Sequence, residues 1–268
     1  CACLVGSEMC ISDRPNDVDF IINTIKSHGH QAYAVGGCVR DSIMGLTPND
    51  WDITTSALPS DIKEYFNKTI DTGIEHGTVT VMLHNVGYEV TTYRIDGEYK
   101  DGRHPSSVEF SDRLTDDLCR RDFTINAMAY NNVTGLVDEY GGIDDINNRI
   151  IKCVGNPIER FTEDALRMMR AIRFSAQLGF TIEPDTFKAI EKLNRNIDKV
   201  SMERVCVELK KTLLSDNPDY CSLYGTTGLF NNILPVIADN LTGRYAKKLL
   251  LTCKYTDNEL PLRLAAIL

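Results

Sequence analysis

The chain has 268 residues, 43% hydrophobic and 25% charged, which is enough apolar surface for a buried core and too much chain for one small domain. A formal net charge of −9 argues against nucleic-acid binding by bulk charge, and no apolar run approaches a membrane span. Nine cysteines, odd in number and without a CxxC pair, argue against a disulfide framework or zinc site and fit free thiols in a reducing cytoplasm.

Charge is unevenly spread. Residues 1–148 carry 11 basic and 24 acidic side chains, residues 149–211 carry 13 and 9, and the remainder five of each. On charge alone, this basic middle behind an acidic front fits a local nucleic-acid footprint and an ordinary solvated helical face equally.

Residues 1–10, CACLVGSEMC, lack a basic segment and the length of a signal peptide, and residues 1–16 read as a disordered extension. Val18, Ile21, Ile22 and Ile25 then recur at helical spacing and Gly29 closes the run, so residues 17–29 form an amphipathic helix. Residues 32–35 favour a strand, Gly36-Gly37 break it, residues 38–44 regain helical character and Gly45 stops them. Asp50 and Asp52 follow on an extended run with Ile53, and residues two apart on a strand share a face. Two such carboxylates repel each other and have no basic neighbour in sequence. A divalent cation neutralises them, and hard oxygen ligands suit Mg²⁺. Gly36-Gly37 lets backbone N–H groups approach an anion, and Arg40 brings a fork for phosphate oxygens. A metal pair beside a phosphate cradle is the equipment of phosphoryl or nucleotidyl transfer. Each feature alone is a turn or a solvated strand; their order and closeness carry the inference.

Pro59 opens a short helix. Residues 78–94 read as a hairpin turning at His84-Asn85-Val86-Gly87, with Glu89 on its second strand. Residues 95–107 are polar and turn-rich, a mobile loop; Arg103 within it and Arg94 just before it are candidate phosphate contacts. Thr115 is placed to cap a helix with Asp116 and Asp117 in its first turn, and Leu118, Ile125, Met128 and Ala129 point to the core across residues 115–130. Gly141-Gly142 mark a boundary. Residues 162–179, TEDALRMMRAIRFSAQLG, are the clearest helix, with Thr162 as cap, an apolar stripe of Leu166, Met169, Ile172 and Ala176, and Gly179 as stop. Asp164 and Arg167, three apart, lie together on another face that Arg170 and Arg173 continue; spacing alone makes them a local ion pair. Helices at 185–197 and 201–215 follow, then short amphipathic segments.

GG-x-V-R-D followed by D-W-D, then RRDFTINA, EDALRMMRAIRF, GFTIE and SMERVCVEL, resemble in this order the motifs of the polymerase-β nucleotidyltransferase superfamily. Within it the chain resembles the bacterial class II tRNA CCA-adding enzymes and the related poly(A) polymerases, over residues 17–268. The resemblance implies an α/β (α+β) head with a small mixed sheet at 17–141, an all-α neck at 142–214 and, from 215, the start of a helical body that looks truncated. It also implies template-independent addition of CMP and AMP from CTP and ATP to the tRNA 3′ end, in the cytoplasm, with no membrane and no inferable protein partner. Asp50 and Asp52 would bind Mg²⁺, with Glu89 as a third carboxylate. Gly36, Gly37 and Arg40 would hold the triphosphate. Arg121 and Asp122 would contact triphosphate and ribose, with Asn126 behind them. Asp164 and Arg167, flanked by Arg170 and Arg173, would read the base, and Glu203 and Arg204 would stabilise the neck. The same motifs admit a poly(A) polymerase, a CC-only or A-only enzyme, or a degenerate nucleotide-binding regulator.

Overall fold

The structure, a computed structural model, describes residues 14–97, 107–235, 238 and 246–267. The expected extension up to residue 13, and Arg103 with most of its loop, lie outside the described residues. Two compact units divide the chain, one holding the described residues up to Asp96 and from Val108 to Ile146, the other holding Gly97, Ser107 and the described residues from Asn147 onward.

The first unit is built on a seven-stranded mixed sheet. Its strands are β1 (Ala32–Val35), β2 (Asp52–Thr55), β3 (Thr69–Gly73), β4 (Thr78–Leu83), β5 (Val86–Thr92), β8 (Met128–Asn131) and β9 (Gly135–Asp138), in the order β3-β4-β5-β2-β1-β8-β9. Only β2 and β5 pair in parallel. A separate ribbon joins β6 (Arg94–Asp96) to β7 (Val108–Phe110). β1 is apolar on both faces and buried throughout, as suits an interior strand between β2 and β8. The helix α1 (Asn16–Ser27) lays Val18, Ile21, Ile22 and Ile25 against β1 and β2, all at most 2% exposed. Each such side chain contributes about 1.5–3 kcal/mol of burial.

Two expected boundaries move. The hairpin turns on His84 and Asn85 alone, with φ of 49° and 65°, while Val86 and Gly87 pair with Leu83 and Met82. Positive φ at both central residues matches the twist of the flanking strands, and His84 Nδ1 is held 3.1 Å from the Asp17 carboxylate. The helix expected from Thr115 is short and starts earlier. α4 spans Leu114–Cys119, a 3-10 turn spans Thr124–Asn126, and Met128 begins β8, between β1 and β9. Arg113, not Thr115, stands at the N-cap. Leu118, Ile125, Met128 and Ala129 are all fully buried, but from three elements. The helix α5 (Gly142–Asn147) starts from Asp138, whose carboxylate accepts from the N–H groups of Gly142 and Ile143 at 2.7 and 2.9 Å. A Cβ at Gly142 would meet the Thr124 carbonyl at 2.5 Å, so only glycine fits there.

The second unit is helical. It comprises α6 (Pro157–Glu163), α7 (Leu166–Leu178), α8 (Pro184–Leu193), α9 (Met202–Leu213), α10 (Ser222–Thr226) and α11 (Leu229–Ile233), then helices Ala246–Tyr255 and Leu260–Ile267. A short parallel pair, β10 (Ile150–Ile151) with β11 (Thr181–Ile182), completes it. The single helix expected from Thr162 is broken at Asp164, whose φ of −136° and ψ of 105° are extended. Thr162 caps nothing; its hydroxyl donates to the Ile158 carbonyl inside α6. Among the described residues no helix is long and apolar enough to cross a membrane.

Candidate active site

The strand β1 ends at Gly36, whose φ of +84° only glycine adopts without strain, and α2 (Gly37–Ile43) begins immediately after it. Two guanidinium groups lie over this turn. A Cβ on Gly36 would stand 3.1 Å from Arg121 Nη1, and one on Gly37 would stand 3.6 Å from Arg40 Nη2. The glycine pair thus makes room for two cations beside the backbone. Arg40 is nearly buried and its fork is not open as expected: Nε and Nη2 bond Asp41 at 2.8 and 2.7 Å, and Nη1 donates to Asn126 Oδ1 at 2.6 Å. Arg121 is less committed. Its Nη2 donates to Asp117, while its buried Nε has no partner. An orphaned donor on a cation is suited to an incoming anion.

The carboxylates stand on the neighbouring strands. Asp52 is the first residue of β2, and Asp50 precedes the strand rather than lying on it, with Trp51 buried between them. Ile53 pairs with Val90, so Asp52 and Glu89 hold matching positions on parallel neighbours and share a face. Asp52 reaches water, yet protein crowds its carboxyl. Burial pushes its carboxyl up to about 6; Arg121 opposes this, and Asp50 and Glu89 reinforce it. Among the described residues no group of three His, Cys, Asp or Glu side chains is arranged to hold a metal ion unaided. Mg²⁺ needs less from a protein: one or two carboxylates, water and substrate phosphates suffice.

Behind the turn, Asn126 joins two of the expected residues. Its Oδ1 accepts from Arg40 and its Nδ2 donates to Asp122 Oδ1 at 3.2 Å. Asp122 is nearly buried and also accepts from the Phe123 N–H at 2.8 Å, which fixes the 3-10 turn.

The second unit carries the other expected residues. From one residue before the N-cap Ala165, Asp164 caps the first turn of α7 with its Oδ1, which accepts from the Leu166 N–H at 3.0 Å, and its Oδ2 accepts from Arg204 Nη2 at 2.9 Å. Arg167 is not its partner. Arg167 Nη1 donates to Glu163 at 2.5 Å and to the Arg160 carbonyl at 3.2 Å, and Glu163 also pairs with Arg160. Arg170 lies over the Phe174 ring. Arg173 does not continue that face. It is 7% exposed, with Nε on Glu208 at 2.5 Å and Nη1 on Gln177 at 2.8 Å, so it ties α7 to α9 inside the unit. The helical period rotates residue 173 towards α9, and a buried guanidinium needs the carboxylate it finds there.

Residues 32–152 match the family model of the poly A polymerase head domain, and residues 179–241 match that of the probable RNA and SrmB- binding site of polymerase A. The CCA-adding enzyme of Ligilactobacillus salivarius is 52% identical over 198 residues, 74% of this chain and 49% of that protein. That of Lactiplantibacillus plantarum is 48% identical over 223 residues, 82% and 54% of the two. Over these matched residues the chain is a member of the poly(A) polymerase and CCA-adding nucleotidyltransferase family. It spans about half the length of the curated relatives it matches. The structure of the Bacillus stearothermophilus CCA-adding enzyme in complex with CTP superposes with a TM-score of 0.77 at 42% identity, over 89% of this chain and 57% of that one. A tRNA nucleotidyltransferase complexed with a primer tRNA and an incoming ATP analog, at 23% identity and TM-score 0.67, shares the fold over 92% of this chain and 79% of its own.

In this family member the sequence pattern missed two anchors. Asp117 was legible only as a helix-dipole charge, although its i+3 and i+4 spacing to Arg120 and Arg121 signalled the pairs it makes. The Arg204–Asp164 bond joins residues 40 apart in the chain and had no local signal.

Proposed function

We propose that the chain catalyses template-independent nucleotidyl transfer, adding CMP and AMP from CTP and ATP to the 3′ end of tRNA with release of pyrophosphate. One observation carries this reading: the Asp52 carboxyl, crowded and repelled by Asp50 and Glu89, shares its site with the Arg121 guanidinium, which lies over the glycine turn. The names of the relatives, CCA-adding enzymes at about 50% identity, support it.

The backbone at Gly36 and Gly37 approaches the triphosphate, Arg40 adds charge beside it, and Arg121 donates from Nε and Nη1 to phosphate oxygens. Asp122, fixed by Asn126, accepts from the ribose 2′-hydroxyl. Asp50 and Asp52 hold Mg²⁺, and Glu89 adds negative charge to the same face; hard oxygens under mutual repulsion fit that ion. Bound Mg²⁺ supplies the charge that lowers the pKa of the tRNA 3′-hydroxyl and offsets the charge of departing pyrophosphate.

The pairing edges of C and A share an amino donor beside a ring-nitrogen acceptor, and those of U and G reverse the pattern. A carboxylate and a guanidinium complement the first: Asp164 accepts from the amino group and Arg167 donates to the ring nitrogen. Each carboxylate oxygen has a second lone pair, so Asp164 can serve a base while it caps α7 and holds Arg204. Glu163 steadies Arg167. The tRNA lies along the basic segment, where Arg195, Lys199 and Lys210 are exposed.

A poly(A) polymerase is the second reading, favoured by the name of the head-domain model. Labelled CTP and ATP, offered with tRNA lacking its CCA end, separate the two. Addition of C, C and A followed by a stop, abolished on chelation of Mg²⁺, is expected. A growing A tail selects the poly(A) reading, and nucleotide binding without transfer reduces the chain to a regulator.

A further inference from the structure

We propose that Asp117 is a positioning residue of the nucleotide site, one that holds the Arg121 guanidinium against the Gly36 turn at a set distance from the strand carrying Asp52; this rests on the nucleotidyl-transfer reading. Asp117 is fully buried at the start of α4, and both of its oxygens are engaged. Oδ1 accepts from Arg120 Nε at 3.0 Å and Nη2 at 2.6 Å. Oδ2 accepts from Arg121 Nη2 at 2.9 Å and from the Thr54 hydroxyl at 3.1 Å. Thr54 lies two residues after Asp52 on β2, so the two side chains share a face. One carboxylate oxygen therefore ties the strand of the carboxylates to the cation over the glycine turn.

The way Arg121 is held matters. Asp117 takes only Nη2, which leaves Nη1 facing Gly36 and Nε buried without a partner. A free arginine loses about 2 kcal/mol of side-chain freedom when it is fixed on a ligand. Fixing it beforehand lets more of the contact energy appear as affinity. Packing alone does not explain an acid at this position. Its neighbours on α4, Leu114 and Leu118, join an apolar cluster with Tyr33, Val35, Tyr93 and Ala129, where an apolar side chain would serve. Buried ion pairs are a weak source of stability, so the geometry they impose is the stronger reason for this one.

The test is a double-mutant cycle on nucleotide binding in the full chain, read by calorimetry with an α,β-methylene CTP analogue so that turnover does not enter. We expect Asp117→Asn to weaken binding about tenfold with Arg121 present and less than about twofold in an Arg121→Ala background. Thr54→Val, nearly isosteric, should weaken binding about threefold, again only when Arg121 is present. In turnover, the KM for CTP should rise while that for tRNA holds, a split that simple loss of folded protein does not produce. If Asp117→Asn does not fold, the Thr54→Val cycle decides. Equal losses with and without Arg121 overturn the proposal and leave the nucleotide reading standing. A wild-type chain that binds no analogue overturns both.

Discussion

Asp52 is poised to change charge within the working pH range. Its carboxyl is pushed up to about 6 by burial, against the pull of Arg121 and with Asp50 and Glu89 adding repulsion. The folded chain therefore holds this proton more tightly than the unfolded chain does, and ionisation between about pH 4 and about pH 6 removes stability. The contribution is present below the ordinary carboxylate range and gone above pH 6. Asp52→Asn cannot ionise, so its Tm should exceed that of the wild type at pH 8 and converge with it at pH 4. Mg²⁺ should raise the wild-type Tm at pH 8 and the mutant's far less. Melts at both pH values, with and without MgCl₂, check this; parallel curves with equal Mg²⁺ shifts would remove Asp52 from the metal site. Asp117 shows the opposite case. Burial alone would raise its carboxyl, but Arg120 and Arg121 hold it down to about 2, so it stays ionised across the working range.

The break between α6 and α7 gives Asp164 two jobs, and mutations can separate them. Its Oδ1 caps α7 and its Oδ2 holds Arg204 from α9. Asp164→Ala loses the cap, worth about 0.5–2 kcal/mol, along with the Arg204 bond, and should melt a few degrees lower. Asp164→Asn keeps a capping oxygen but turns its amide N–H toward the Arg204 donor, so it should melt between wild type and Asp164→Ala. Both should admit UTP and GTP more readily, because the mismatched carboxylate no longer rejects them. If Asp164→Asn retains wild-type choice of C and A, the base is read elsewhere. This break also shows where periodicity misleads. The stripe of Leu166, Met169, Ile172 and Ala176 is real, and all four are buried, but a stripe says nothing of where its helix starts. The start depends on which carboxylate meets the Leu166 N–H.

At the scale of the molecule, charge separates along the chain. The basic segment 149–211 belongs to the helical unit, and Arg195, Lys199 and Lys210 are solvent-exposed. Binding of tRNA should weaken with salt as condensed counterions are released. Reversing these three charges should lower affinity and flatten the salt slope by up to about 0.9 for each phosphate no longer neutralised. Filter binding across a salt series measures both. An unchanged slope would move the footprint elsewhere.

The sequence by itself determined what is local. The α1 stripe, the glycine turn after β1, the paired aspartates and the ordered motifs of the family all lie within runs of a few residues, where backbone period and side-chain chemistry act directly. Only the tertiary structure decided the rest. Residues 128–131 became a strand because a place in the sheet lay open beside β1, and no local propensity encodes that. Arg40 met Asn126 across 86 residues and Thr54 met Asp117 across 63, so the fork expected to be open was closed and an ordinary first-turn acid became an anchor. Arg173 had the right spacing and the wrong environment, since packing of α7 on α9 buried it against Glu208. Sheet pairing and helix packing bring together residues far apart in the chain, and the resulting bonds are set by which surfaces must leave water.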